Sequence, residues 1–249
     1  MFLKELHNKY KDAGIFALFS GPSLSLLPLT SLKGKYTFSQ KIIPVSHYMT
    51  DFWLCMEKQM EIPWQIFEDR KLVKFFPDEF KEKGYIRPID SNSERKVFRT
   101  ESIKNTSNNY FFPLNNSYNS AEYFTQPDIT WGCDGNMIDE HGLKGRRSIM
   151  LATFRLLYHL GFRRIYLCGV DFKMDHACPY CYNVSKAPAA VEQNNILYET
   201  LIIRFTALLP YFQERGLQVY NCNPDSNLKV FPFISFQDAL NDNSCLHRN

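Results

Sequence analysis

The chain has 249 residues, 45% of them hydrophobic, enough to bury one large core, and its formal net charge of +3 comes from 29 basic residues set against 26 acidic ones. So mild a balance gives no ground for a nucleic-acid-binding protein, and no apolar stretch approaches the roughly 20 residues of a membrane span. Seven cysteines, an odd number, read as reduced thiols rather than a disulfide framework, and charges at Lys4, Glu5, Lys9, Lys11 and Asp12 ahead of any apolar run speak against a secretion signal and for a cytoplasmic protein.

The first element is the apolar run Ile15-Phe16-Ala17-Leu18-Phe19, of buried-strand type, which breaks into the small-residue turn Ser20-Gly21-Pro22-Ser23 and then a helix-like stretch. An open α/β sheet holds a phosphate at such a place, because glycine lets backbone approach a ligand and the next helix presents free amides and a positive dipole end. A Gly-Pro turn after a strand is also a common plain turn, so this signal needs company. Leu24 to Leu32 reads as a short helix limited by Pro28, Tyr36 to Val45 as a strand broken by Pro44, Asp51 to Glu57 as a buried strand bounded by acids, and Leu72 to Phe76 as a strand stopped by Pro77. From Gly84 to Thr130 the composition shifts to Asn, Ser, Thr and Tyr without sustained period, which reads as an insertion or lid.

The second half is more regular. Ile149, Ala152, Thr153, Leu156, Leu157 and Leu160 follow the spacing of an amphipathic helix that Gly161 is placed to end, and the strand Arg164 to Cys168 follows at once. A second periodic stretch, from Leu197 to Phe212, is stopped by Gly216 before a strand over Leu217 to Asn221. Strands alternating with helices predict an α/β protein, a single Rossmann-like domain over residues 1–249 with a mostly parallel sheet, helices on both faces, and 84–130 as the insertion.

Candidate site residues cluster at predicted strand ends. Ser20, Gly21, Pro22 and Ser23 form one turn, and Gly169 to Asp171 a second of the same kind. Arg146, Arg147 and Ser148 precede the clearest helix, where two guanidinium groups would join free backbone amides around a phosphate; both arginines could equally face water. Asp51, Glu57 and Asp171 could bind ribose hydroxyls or magnesium, or simply cap turns. Cys178 and Cys181 have C-x-x-C spacing with His176 two residues upstream, half of a zinc site that Cys133, His141 or Cys222 would have to complete; reduced thiols and a redox pair are the other readings. His176 is also a candidate general base, since histidine ordinarily titrates near neutrality.

Gly21-Pro22-Ser23-Leu24, the segment Leu160 to Phe172 ending in Gly169-Val170-Asp171-Phe172, and the late Cys222-Asn223-Pro224-Asp225-Ser226-Asn227-Leu228 together resemble a superfamily with two arms. One arm is the bacterial lipooligosaccharide sialyltransferases; the other holds the motility-associated glycosyltransferase-like proteins and the archaeal 6-hydroxymethylpterin diphosphokinases. The resemblance implies a Rossmann-like domain whose two Gly-containing loops flank a nucleotide, with a nucleotide-activated sugar used without metal, tyrosines assisting the leaving phosphate and a histidine as base. Tyr180 looks like one of those tyrosines, Lys173 stands where the family has another, and Val191-Glu192-Gln193-Asn194-Asn195 lacks the family's histidine, which leaves His176, Glu192 or another acid as base. Ser20 replaces an asparagine. Sugar transfer from a nucleotide sugar to a glycan, a protein or a hydroxymethylated DNA base is the first expectation. Magnesium- and ATP-dependent diphosphoryl transfer, and a zinc-stapled nucleotide-binding protein without activity, are the alternatives.

Overall fold

The computed structural model describes residues 3–41, 43–56, 63–88, 98–103, 106–115, 119–125, 130–131, 142, 148–183 and 188–247. The strands are β1 (Gly14–Leu18), β2 (Thr37–Gln40), β3 (Phe52–Leu54), β4 (Val73–Pro77), β5 (Gly84–Pro88), β6 (Phe98–Ser102), β7 (Asn109–Phe112), β8 (Leu114–Asn115), β9 (Thr130–Trp131), β10 (Arg164–Cys168) and β11 (Gln218–Asn221). The α-helices are α1 (Ile43–Ser46), α2 (Trp64–Glu68), α3 (Ile149–Leu160), α4 (Pro188–Glu214) and α5 (Phe236–Leu240). Seven strands form one sheet in the order β11-β10-β1-β2-β3-β4-β7, and every neighbouring pair in it is parallel. The α/β, Rossmann-like expectation therefore holds.

The strands are apolar on both sides because both faces of the sheet are covered. Ile15, Ala17, Phe38, Ile165, Leu167 and Val219 pack with Leu151, Phe154, Leu157, Phe205 and Leu208 of α3 and α4. On the opposite face Phe16, Leu18, Tyr166 and Cys168 meet Leu24, Leu32, Ile43, Ala239 and Cys245. Farther along the sheet Trp53 and Phe76 pack with Ile66, Phe67 and Phe80. Burying each such large side chain is worth about 1.5–3 kcal/mol.

Several expected boundaries shift. The stretch Leu24 to Leu32 forms two 3-10 turns, Pro22–Leu26 and Leu29–Leu32, on either side of Pro28. β2 ends at Gln40 instead of running to Val45, because Lys41 turns out of the strand at φ 54° and Pro44 falls within the helical turn α1. β4 includes Pro77, and α4 begins well ahead of Leu197 and carries Pro210 inside it. The segment 84–130 is not wholly an insertion: Asn109-Tyr110-Phe111-Phe112 pairs with β4 as an edge strand of the main sheet, and β5 and β6 form an antiparallel pair. Four strand residues between polar flanks are too few to show a period.

The amino edge of the sheet is closed by the C-terminal segment. Asp242 accepts from the Tyr166 hydroxyl at 2.7 Å, the Ser244 N–H at 2.9 Å and the Ser244 hydroxyl at 2.8 Å, with Arg164 at 3.3 Å. Burial alone pushes this carboxyl up, but those hydrogen bonds and the Arg164 charge outweigh it and hold its pKa below the usual value. A depressed carboxylate pKa contributes stability that is complete above the unfolded value of about 3.9 and is lost as pH falls through the folded value. Unfolding free energy measured against pH should therefore decline across that acidic window in the native chain, and less steeply in Asp242→Asn.

Candidate functional site

From β1 the chain runs outward through β2, β3, β4 and β7, then returns to lay β10 on the other flank of β1, with β11 beyond it. The strand order reverses between β1 and β10, and in open parallel sheets the crevice at such a point binds ligands at the carboxyl ends of the strands. The turns after β1 and β10 meet there. The Phe19 N–H donates to the Cys168 carbonyl at 2.8 Å and the Gly21 N–H to the Gly169 carbonyl at 2.9 Å.

The approach is close enough to require glycine on both sides. A Cβ on Gly21 would lie 2.5 Å from Asp171 Oδ2 and 2.6 Å from the Gly169 carbonyl oxygen. One on Gly169, whose φ is +71°, would collide with the Phe19 carbonyl oxygen. The space a side chain at Gly21 would need is thus taken up by the second loop, while Gly21 itself lines the adjacent cavity. Asp171, 7% exposed, ties the loops together. Its Oδ2 accepts from the Ser23 N–H at 3.0 Å and its Oδ1 from Asn223 Nδ2 at 2.5 Å, while its carbonyl accepts from the Asn227 N–H at 2.9 Å. The loops after β1, β10 and β11 are joined through one residue. Next to it Phe172 holds φ +51°, unfavourable for a bulky side chain, and its ring stacks on Tyr198 at 4.8 Å between centroids.

Beside this junction lies a cavity of about 420 Å³, lined by Ser20 and Gly21, by Gln40 and Lys41 at the end of β2, by Gly169 to Met174, by Pro179 and Tyr180, and by the first turn of α3 and the face of α4 carrying Asn194, Leu197, Tyr198 and Leu201. Ser148 caps α3, accepting from the Met150 N–H at 3.2 Å, so a twelve-residue helix opens with its amino end at the cavity wall. Tyr180 stacks on Tyr182 at 5.1 Å, and the Lys41 ammonium lies 4.9 Å from the Tyr180 ring centroid. Burial pushes the Tyr182 hydroxyl up to about 12 against the opposing charge of Lys41, and Ser20 hydrogen-bonds it. Burial does the same to Tyr198, again to about 12, with Tyr180 adding to the rise and Lys41 opposing it. Both phenols keep their protons at neutral pH and can donate hydrogen bonds.

The structure brings together Ser20, Gly21, Ser148, Gly169, Asp171, Lys173 and Tyr180 around the cavity. Pro22 and Ser23 open the following 3-10 turn outside its lining. Asp51 is elsewhere: it precedes β3 at the amino edge of the sheet, where it accepts from the Thr37 N–H and hydroxyl, both at 2.8 Å, and pairs with His247 at 3.3 Å. In a parallel sheet that edge is the far one from the crevice, so Asp51 is a strand-start contact, not a ligand group. His176 and Glu192 are both exposed; neither lines the cavity, although Met174, Pro179 and Asn194 nearby in sequence do. Glu57, Cys133, His141, Arg146 and Arg147 lie outside the described residues.

The cysteine cluster does not assemble a metal centre among the described residues, which contain no group of three or more His, Cys, Asp or Glu able to hold an ion. Cys178 is exposed and its thiol faces the Tyr180 carbonyl at 3.5 Å. Burial pushes Cys181 up to about 12, the reverse of the lowered thiol a redox C-x-x-C uses. Cys222 pairs with Cys168 in the core, which removes it as a completing ligand. Gln40, Lys41, Asn194, Tyr198 and Asn223 were not among the expected site residues, and ending β2 at Gln40 would have placed the first two at a carboxyl strand end.

No family model and no curated protein matches the chain. Among solved structures it is similar to a Tyr-to-Phe variant of the sialyltransferase CstII in complex with CMP, with 13% identity, a TM-score of 0.46, and 90% of this chain and 86% of that one covered. It is also similar to CstII from Campylobacter jejuni in complex with a substrate analogue, cytidine-5'-monophosphate, with 12% identity, a TM-score of 0.36 and the same 90% and 86% coverage.

Removing the Asp171 carboxylate would leave the Ser23 N–H and the Asn223 amide without their acceptor. Hydrogen bonds to a charged group contribute roughly 1.5–3 kcal/mol each, so losing these two in Asp171→Ala should lower the unfolding free energy by about 3–6 kcal/mol in a urea titration, with Asp171→Asn losing less.

Proposed function

We propose that this chain transfers a sugar from a nucleotide-activated donor to a hydroxyl acceptor, using the cavity between the β1 and β10 loops. The observation that carries the reading is a cavity at the strand-order reversal of a parallel sheet whose lining combines the amino end of α3 with Tyr180, Tyr198, Lys41 and Lys173. An amide-rich helix start and cations suit the phosphates of a nucleotide, and the sequence resemblance set out above supports the same chemistry. Arg146 and Arg147, immediately before Ser148 in sequence, are assigned to the donor phosphates.

In the reaction the acceptor hydroxyl oxygen bonds to the anomeric carbon while the bond from that carbon to the phosphate oxygen breaks, and both electrons of that bond leave with the nucleotide. Tyr180 stabilises the departing phosphate by hydrogen bonding, and Lys173 offsets its growing charge. The acceptor proton passes to a base, for which His176 and Glu192 are the assignments, both exposed and flanked in sequence by cavity-lining residues. The donor set favours a metal-independent route. Asp171 is the one described acid in the cavity lining, and both of its oxygens are already engaged.

Thermal-shift titration with CMP, UDP, GDP, ATP and the matching sugar conjugates, each with and without magnesium, tests this. The expected outcome is stabilisation by one nucleotide and its conjugate regardless of magnesium, with slow hydrolysis of that conjugate in the absence of acceptor. A response confined to magnesium-ATP would replace sugar transfer with diphosphoryl transfer, and no response to any of them would overturn both. Once the donor is known, Tyr180→Phe should lower kcat by about 10- to 100-fold with little change in KM, as expected for a hydrogen-bond donor to the leaving group acting in the transition state.

A further inference from the structure

The charge inside the cavity is unevenly shared. Its described lining holds two cations, Lys41 and Lys173, and one acid, Asp171, whose carboxylate is committed to Ser23 and Asn223. Lys173 is exposed and directs its ammonium to the Asp225 carbonyl at 3.3 Å, on the side of the β11 loop. Lys41 is half-buried and lies over the face of Tyr180.

Its backbone is built to put it there. Lys41 sits at φ +54°, a left-handed conformation that is unfavourable for a residue with a Cβ, directly after the last residue of β2. The buried Trp53 side chain holds the turn by donating from Nε1 to the Lys41 carbonyl at 2.8 Å. Sparsely populated backbone conformations persist when surrounding structure fixes them, and they concentrate at working sites. The side chain so placed is near Tyr180, Tyr182 and Tyr198 at once: it lies over the first ring, and its charge acts on the hydroxyls of the other two. Beside it Gln40, 4% exposed, also lines the cavity and leaves its Oε1 without a hydrogen-bond partner.

We propose that Lys41 is a further residue through which this cavity grips the phosphate of its ligand, with the Tyr180 ring holding the ammonium in place for that contact. This rests on the reading of the cavity as a nucleotide site, and it adds a residue that neither the loop motifs nor the resemblance points to. Lys41 binds the anion as a point charge, while the stacked ring restricts its long stem and so reduces the ordering needed on binding.

The test is calorimetric titration of the 249-residue chain and its Lys41→Gln, Lys41→Arg and Lys41→Asn variants with inorganic pyrophosphate and with CMP, UMP, AMP and GMP. Asparagine tolerates the left-handed backbone, so that variant separates lost charge from lost fold. Both neutral variants should weaken the nucleotide and pyrophosphate by about 10- to 100-fold at an unchanged melting temperature, with Lys41→Arg retaining most of the affinity. Native affinity in the folded neutral variants would overturn the assignment while leaving the nucleotide reading intact. Binding of pyrophosphate but no nucleotide by the wild type, lost in the neutral variants, would support Lys41 and remove the nucleotide reading. No binding of either probe by the wild type would overturn both.

Discussion

The carboxylate of Asp171 is the interaction on which the functional end of this molecule depends. Parallel strands deliver their connecting loops to the same edge, where backbone hydrogen bonds join the loops after β1 and β10 and a side chain ties in the third. Asp171 supplies that side chain, accepting from the loop after β1 and from the loop after β11 while itself standing on the loop after β10. Such bonds are favoured because the acceptor is charged and largely removed from water. Gly21 and Gly169 are the steric condition for the same junction, since a side chain on either would force the loops apart. The left-handed Phe172 directly follows Asp171, and its ring stacks on Tyr198.

That junction forms one wall of a cavity whose other walls come from remote parts of the sequence. The capped start of α3, the end of β2 and the inner face of α4 arrive from separate elements and enclose a space with a helix amino end, lysines and phenols. Hydroxyls kept protonated by burial, next to a half-buried ammonium, make an environment that receives negative charge and does not supply it. The opposite edge of the sheet has a different character. There Asp51 and Asp242 are used up in fastening strand starts to the C-terminal segment, and that edge serves stability.

Most of the scaffold was legible in the sequence. β1, β10, α3 and the stop at Gly161 follow from apolar runs and helical spacing long enough to be unambiguous. The misjudged elements are short or interrupted: β2 looked longer because Ile43 to Ser46 form α1, and β7 was hidden because four strand residues are too few to carry a period. At the site, the two glycine loops and Tyr180 stood out as strand-end features. Lys41 did not, because its significance depends on where β2 stops.

The sequence by itself determined the α/β class, the alternation of strands and helices through the second half and the two loops that flank the crevice, because each of these is written in local patterns of burial and turn chemistry. Only the tertiary structure decided which acids face the crevice, that Cys222 lies against Cys168 and not in a metal site, and that Lys41 reaches Tyr180. Those outcomes depend on strand order and register. Pairing between segments far apart in the chain sets both, and no local pattern reports it.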